Sequence, residues 1–92
     1  MYLLVTYDIV SDKRRRKIDK LLSEYGYRVN YSVFELEVDP AIYRTLRQKL
    51  LELMQKRDSV RFYRHTKETI RKSEELNPVR SHPFAMEESY VL

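Results

Sequence analysis

The chain has no cysteine, a single glycine and three prolines. Without cysteine there is no disulfide framework, no thiolate metal site and no thiol nucleophile. One glycine cannot build a glycine-rich phosphate loop, and so few glycines and prolines leave little room for flexible linkers. No apolar run approaches the length of a membrane span and no signal-peptide pattern is present. A soluble, cytoplasmic protein without membrane contact is therefore expected. Histidine is almost absent too. His65 falls late in a predicted strand and His82 in a proline-containing tail, so neither stands out as a general base or metal ligand. Ninety-two residues make one domain with a single modest core.

Charge is unevenly spread. Residues 1–72 carry 17 Lys/Arg against 10 Asp/Glu, while residues 73–92 carry one Arg against four Glu. The net charge of +4 thus divides into a basic body and an acidic tail. A basic body with eight tyrosines suits a polyanion, because lysine and arginine gain by displacing counterions from phosphates.

The chain is organised around residues 1–17, MYLLVTYDIVSDKRRRK. Tyr2 to Tyr7 is rich in apolar and aromatic residues and reads as a strand buried on both faces, closed by the carboxylate of Asp8. Ser11 or Asp12 can cap the helix that follows. Its first turn is almost solid cation, Lys13 to Lys17, which opposes the helix dipole and suggests an anionic partner outside the fold. The apolar stripe Ile18, Leu21, Leu22, Tyr25 extends backward to Arg14 and, at its edge, Arg15. Those two arginines are expected at the sheet rim beside Asp8, with Lys13, Arg16 and Lys20 facing water. Two readings of Asp8 stay open: a turn-capping residue, or one acid of a site.

Gly26 is placed to close this helix in the left-handed conformation. Apolar alternation then runs Tyr27, Val29, Tyr31, Val33, slips phase, and resumes as Phe34, Leu36, Val38. Side chains alternate with period two, so the slip predicts two short strands meeting at a bend near residues 31–33. Asp39-Pro40 starts a second helix, apolar at Ile42, Leu46, Leu50 and Leu53, to about Lys56. Lys56-Arg57-Asp58 reads as an exposed loop, and Ser59 to Thr66 as a strand. The order predicts a ferredoxin-like α+β fold, βαββαβ, with both helices on one face of an antiparallel sheet. A second copy of the chain is the expected cover for the other face, making a homodimer. Residues 1–66 form the expected core. Residues 67–92 read as a tail, with either a strand or a short helix at residues 69–72 and an edge strand or docking segment at 88–92.

Taken together, YDIVSDKRRRKIDKLL, the glycine-terminated helix, Ser32-Val33-Phe34-Glu35 and SVRFYRHT resemble the CRISPR-associated protein-two (Cas-two) family over residues 1–66. The resemblance implies a homodimer in which Asp8 of each protomer is the Mg²⁺ ligand. It also implies that Tyr7, Arg15, Arg28 and Phe34 occupy positions linked to nuclease activity, with a further family arginine replaced here by Lys17. Family activities are metal-dependent cleavage of single-stranded RNA and, in some members, of DNA. Family members also serve as an adaptor beside the CRISPR integrase subunit when spacers are acquired in antiviral defence.

The residues support two functions of different class. In a nuclease, Mg²⁺ held by two symmetry-related Asp8 carboxylates polarises a phosphodiester while Arg15 and Arg28 offset charge on the phosphate. Tyr7 or Phe34 then either stacks on a base or packs in the core. In a non-catalytic adaptor, Arg14, Arg15, Arg16, Lys17, Arg44, Arg47 and Lys49 track duplex DNA and Asp8 is structural. A toxin-type endoribonuclease of the VapD kind is a third possibility.

Overall fold

A computed structural model of the chain describes residues 1–77. The expected segment at 88–92 and its docking on a partner lie outside the described residues. Along the chain run β1 (Tyr2–Asp8), α1 (Asp12–Ser23), β2 (Gly26–Asn30), β3 (Val33–Glu37), α2 (Pro40–Leu53), β4 (Ser59–His65) and α3 (Lys67–Arg71). The four strands form one antiparallel sheet in the order β2-β3-β1-β4. This is the expected ferredoxin-like arrangement, with β1 central between β3 and β4.

Local chemistry sets the helix ends. Ser11 caps α1, its side chain accepting from the Arg14 N–H, and Asp12 sits in the first turn where its charge suits the dipole. Asp39 caps α2 by accepting from the Ile42 N–H at 2.8 Å, with Pro40 next. Helix α2 stops at Leu53, three residues short of expectation. The Asp58 side chain accepts the Gln55 N–H, and the Asp58 N–H donates to the Gln55 carbonyl, which closes a turn in place of helix. Beyond β4 the chain turns into α3, capped by Thr66, with Ile70 buried; the helical alternative for this segment holds.

Gly26 serves a different purpose from the one expected. Helix α1 closes at Glu24 with ordinary right-handed backbone, and Gly26 has no positive φ. It opens β2, where a Cβ would lie 2.1 Å from the Glu35 carbonyl oxygen. Close approach of two backbones excludes a side chain here. The predicted bend near residues 31–33 is the turn at Tyr31 and Ser32 between β2 and β3, and a register shift that was not predicted lies between Arg28 and Asn30.

The core lies between sheet and helices. Leu3, Val5 and Tyr7 of β1 and Phe34 and Leu36 of β3 pack with Ile18, Leu22, Leu46 and Leu50. Each fully buried side chain of this size contributes about 1.5–3 kcal/mol. Tyr2, Leu4 and Thr6, on the other face of β1, are only half-buried, and Asp8 is exposed. Within one chain the strand is therefore covered on one side alone, where its sequence predicted cover on both.

Candidate functional site

Asp8 ends β1 opposite Ser59 of β4. Strand alternation puts Tyr7 among the core residues and turns Asp8 to the open face. The carboxylate lies in an open cleft of about 420 Å³ whose lining includes Thr6, Ser32, Val33, Ser59 and Arg61. It has no hydrogen-bond or ion-pair partner among the described residues. An exposed carboxylate in a cleft can meet a hydrated cation without first breaking internal bonds, and Arg61 from the adjacent strand, which donates to the Tyr63 hydroxyl at 3.1 Å, offers a cation to a phosphate.

Arg14, expected at the sheet rim beside Asp8, is bonded there to Asp58, which directly precedes the Ser59 that pairs with Asp8. Its Nε is 2.8 Å and its Nη2 3.2 Å from the two oxygens of Asp58. Asp58 also accepts the Val10 and Gln55 N–H groups at 3.0 and 2.9 Å, and its side chain has no exposed surface. The bond from Arg14, then those from the backbone, hold the Asp58 carboxyl well below the usual carboxylate range. The supposed exposed loop therefore carries a knot that joins the turn after Asp8, the start of α1 and the loop before β4. The sequence offered a faint signal for it, an acid directly preceding the strand that pairs with the Asp8 end of β1.

A second knot lies beneath the sheet. The Tyr7 hydroxyl donates to Asp19 of α1, whose other oxygen is 2.9 Å from Arg28 Nη2. Arg28 Nη1 donates to the Tyr31 carbonyl at 2.8 Å, and its guanidinium lies 5.3 Å from the centre of the Phe34 ring. Burial, and then the bond to Asp19, push the Tyr7 hydroxyl far above its ordinary pKa, against the opposing pull of Arg28 and Arg15. Tyr7 accordingly keeps its proton at neutral pH and donates it to Asp19. Phe34 is fully buried, so of its two readings core packing holds. Asp19 was missed by sequence reasoning; its only mark there is an acid flanking the apolar stripe of a basic helix.

The seven cations predicted to meet nucleic acid divide in two. Arg14 is held by Asp58, and Lys49 donates to the Tyr25 hydroxyl at 3.2 Å while lying over its ring. Arg15 pairs with Asp12 at 3.0 Å one helical turn back, an exposed contact of little strength that a phosphate can displace. Arg16, Lys17, Arg44 and Arg47 are exposed and make no ion pair among the described residues. They stand on the outer faces of α1 and α2, the layer on the opposite side of the sheet from Asp8.

Residues 1–73 match the family model described as CRISPR associated protein Cas2. The chain belongs to the Cas2 family. A CRISPR-associated endoribonuclease Cas2 of Chloroflexus aurantiacus is 50% identical over 66 residues, covering 70% of this chain and 71% of that one. Another of the same name, from Chlorobaculum tepidum, is 49% identical over 69 residues, covering 68% and 72%. The crystal structure of Streptococcus pyogenes Cas2 at pH 6.5 superposes with a TM-score of 0.73 at 38% identity, covering 84% of this chain and all of that one. A chain in a partial Cas6-RT-Cas1–Cas2 complex gives 0.72 at 33% identity, covering 92% and 96%. No helix among the described residues is long and apolar enough to cross a membrane.

Proposed function

We propose that this Cas2-family chain is a metal-dependent endoribonuclease that works as a homodimer, with Asp8 of each copy as the carboxylate of a shared Mg²⁺ site. The observation that carries the reading is the exposed, unpartnered carboxylate of Asp8 in its cleft. Relatives up to 50% identical bear the name endoribonuclease, which supports it. No group of three or more metal-ligating side chains occurs among the described residues, so one chain supplies half a site. The donor chemistry fits: Mg²⁺ keeps most of its waters and takes one or two carboxylates together with phosphate oxygens. Bound there, the ion would supply polarisation of the phosphodiester and a more acidic water. The chain's own residues orient the rest. Arg61, which lines the cleft and donates to the Tyr63 hydroxyl at 3.1 Å, meets the phosphate. Tyr7, Asp19, Arg28 and Phe34 hold the strand end and the β2–β3 turn in place from the covered side.

The superposition on a chain from a complex containing Cas1 supports a second role beside an integrase subunit, as a carrier of duplex DNA in spacer acquisition. Arg16, Lys17, Arg44 and Arg47 suit that role, since they are free to follow phosphates. Replacing Asp8 with Asn tests the nuclease reading. Asparagine keeps the size and removes the charge a hard cation needs. Metal-dependent cleavage of single-stranded RNA should fall by at least about a hundredfold, since several kcal/mol of charge stabilisation are lost. Duplex DNA binding should persist. Unchanged cleavage by the purified variant would remove Asp8 from the reaction.

A further inference from the structure

The turn between β2 and β3 is held more firmly than a hairpin tip requires. The Tyr31 N–H donates to Asn30 Oδ1 at 2.8 Å, and the Tyr31 carbonyl accepts from Arg28 Nη1 at 2.8 Å. The following carbonyl, of Ser32, accepts the Tyr7 N–H at 3.2 Å. The Tyr7 hydroxyl, whose one proton goes to Asp19, lies 3.2 Å from the Tyr31 carbonyl. Arg28 is itself tied to Asp19, so the tip is anchored through β1, β2 and α1. Yet the tyrosine at this anchored position is 85% exposed. Its ring makes no hydrogen bond or ring contact among the described residues. Ser32 and Val33, next in the chain, line the cleft that contains Asp8.

A bare aromatic ring on a fixed backbone at the margin of a phosphate-handling cleft has the form of a stacking platform. Little backbone entropy remains to be lost when a flat ligand settles on it, and a tyrosine side chain has few rotatable bonds to fix. Every nucleobase offers such a flat face, and stacking on an aromatic side chain tolerates any base identity. In a duplex those faces already lie against neighbouring pairs, whereas an unpaired strand leaves them open. We propose that Tyr31 is a base-stacking residue of the substrate site, taking an unpaired base of single-stranded RNA beside the phosphate at the Asp8 cleft. This rests on the reading of that cleft as the RNA-cleavage site. Tyr7, Asp19 and Arg28 then act as positioning residues for the platform without touching RNA.

The test is equilibrium binding of a short single-stranded RNA carrying 2-aminopurine, whose fluorescence is quenched on stacking, with metal chelated so that nothing is cut. Tyr31→Ser should weaken binding roughly tenfold and remove the protein-dependent quench. Tyr31→Phe, which keeps the ring and loses only the hydroxyl, should retain both. Binding by Tyr31→Ser equal to wild type would overturn the proposal, as would an equal loss of duplex DNA binding. Sedimentation of Tyr31→Ser should match wild type; a shift to monomer would assign the ring to contact with a second copy and also overturn it. Because no cleavage enters these readouts, failure of the Asp8→Asn test leaves this result separate.

Discussion

Beside the helices, Asp19 and Asp58 each hold an arginine and at least one further group, so that Arg28 and Arg14 are committed inside the fold. On the open side of the sheet, Asp8 lies exposed in a cleft with no such partner among the described residues. The three acids differ in what surrounds them, and that difference separates scaffold from site. An acid already satisfied by arginine and backbone N–H groups has little left to offer a cation. An unsatisfied one at a strand end has everything to offer. The arginines of α1, α2 and β2 divide in the same way: Arg14 and Arg28 are tied to acids, while Arg16, Arg44 and Arg47 are exposed without an ion pair among the described residues.

The largest effect expected from breaking this contrast comes from Asp58. Its pKa is lowered in the fold, so its contribution to stability is complete above the unfolded carboxylate value of about 3.9 and is lost as pH falls below it. Asp58→Asn should lower the melting temperature at neutral pH. It should also flatten the decline in stability on acidification below about pH 4. An acid limb identical to wild type would show that the knot contributes nothing to folding. A smaller and more selective effect is expected from the free cations. Replacing Arg16, Lys17, Arg44 and Arg47 with Ala should make log affinity for duplex DNA less steep against log salt, by up to about 0.9 for each phosphate no longer neutralised. Arg14→Ala should lower thermal stability and leave that slope unchanged. If the two variants shifted the slope alike, the division into tied and free arginines would fail.

The apolar run Tyr2 to Tyr7 closed by Asp8, the caps at Ser11 and Asp39, and the phase slip before Phe34 made the element order readable, because each is a local signal. Family resemblance pointed to Asp8, Tyr7, Arg15, Arg28 and Phe34 but said nothing of which face of the sheet each occupies. Alternation along β1 divides Tyr7 from Asp8, and only the paired register places Phe34 with the former. Asp19 and Asp58 were not legible. Their partners lie 12 and 44 residues away in the chain, and no periodicity connects a loop acid to a helix arginine at that separation. The role of Gly26 was misread for a related reason, since the backbone it approaches belongs to β3.

In the proposed dimer the working site takes one Asp8 from each of two copies. Wild-type and Asp8→Asn chains, refolded together in varied proportion at constant total concentration, test it directly through metal-dependent RNA cleavage. If both carboxylates are required, activity falls with the square of the wild-type fraction, because only dimers with two intact chains cut. Activity proportional to the wild-type fraction would mean that each Asp8 works on its own, and activity above that line that a single Asp8 serves the whole dimer; either would contradict the shared site.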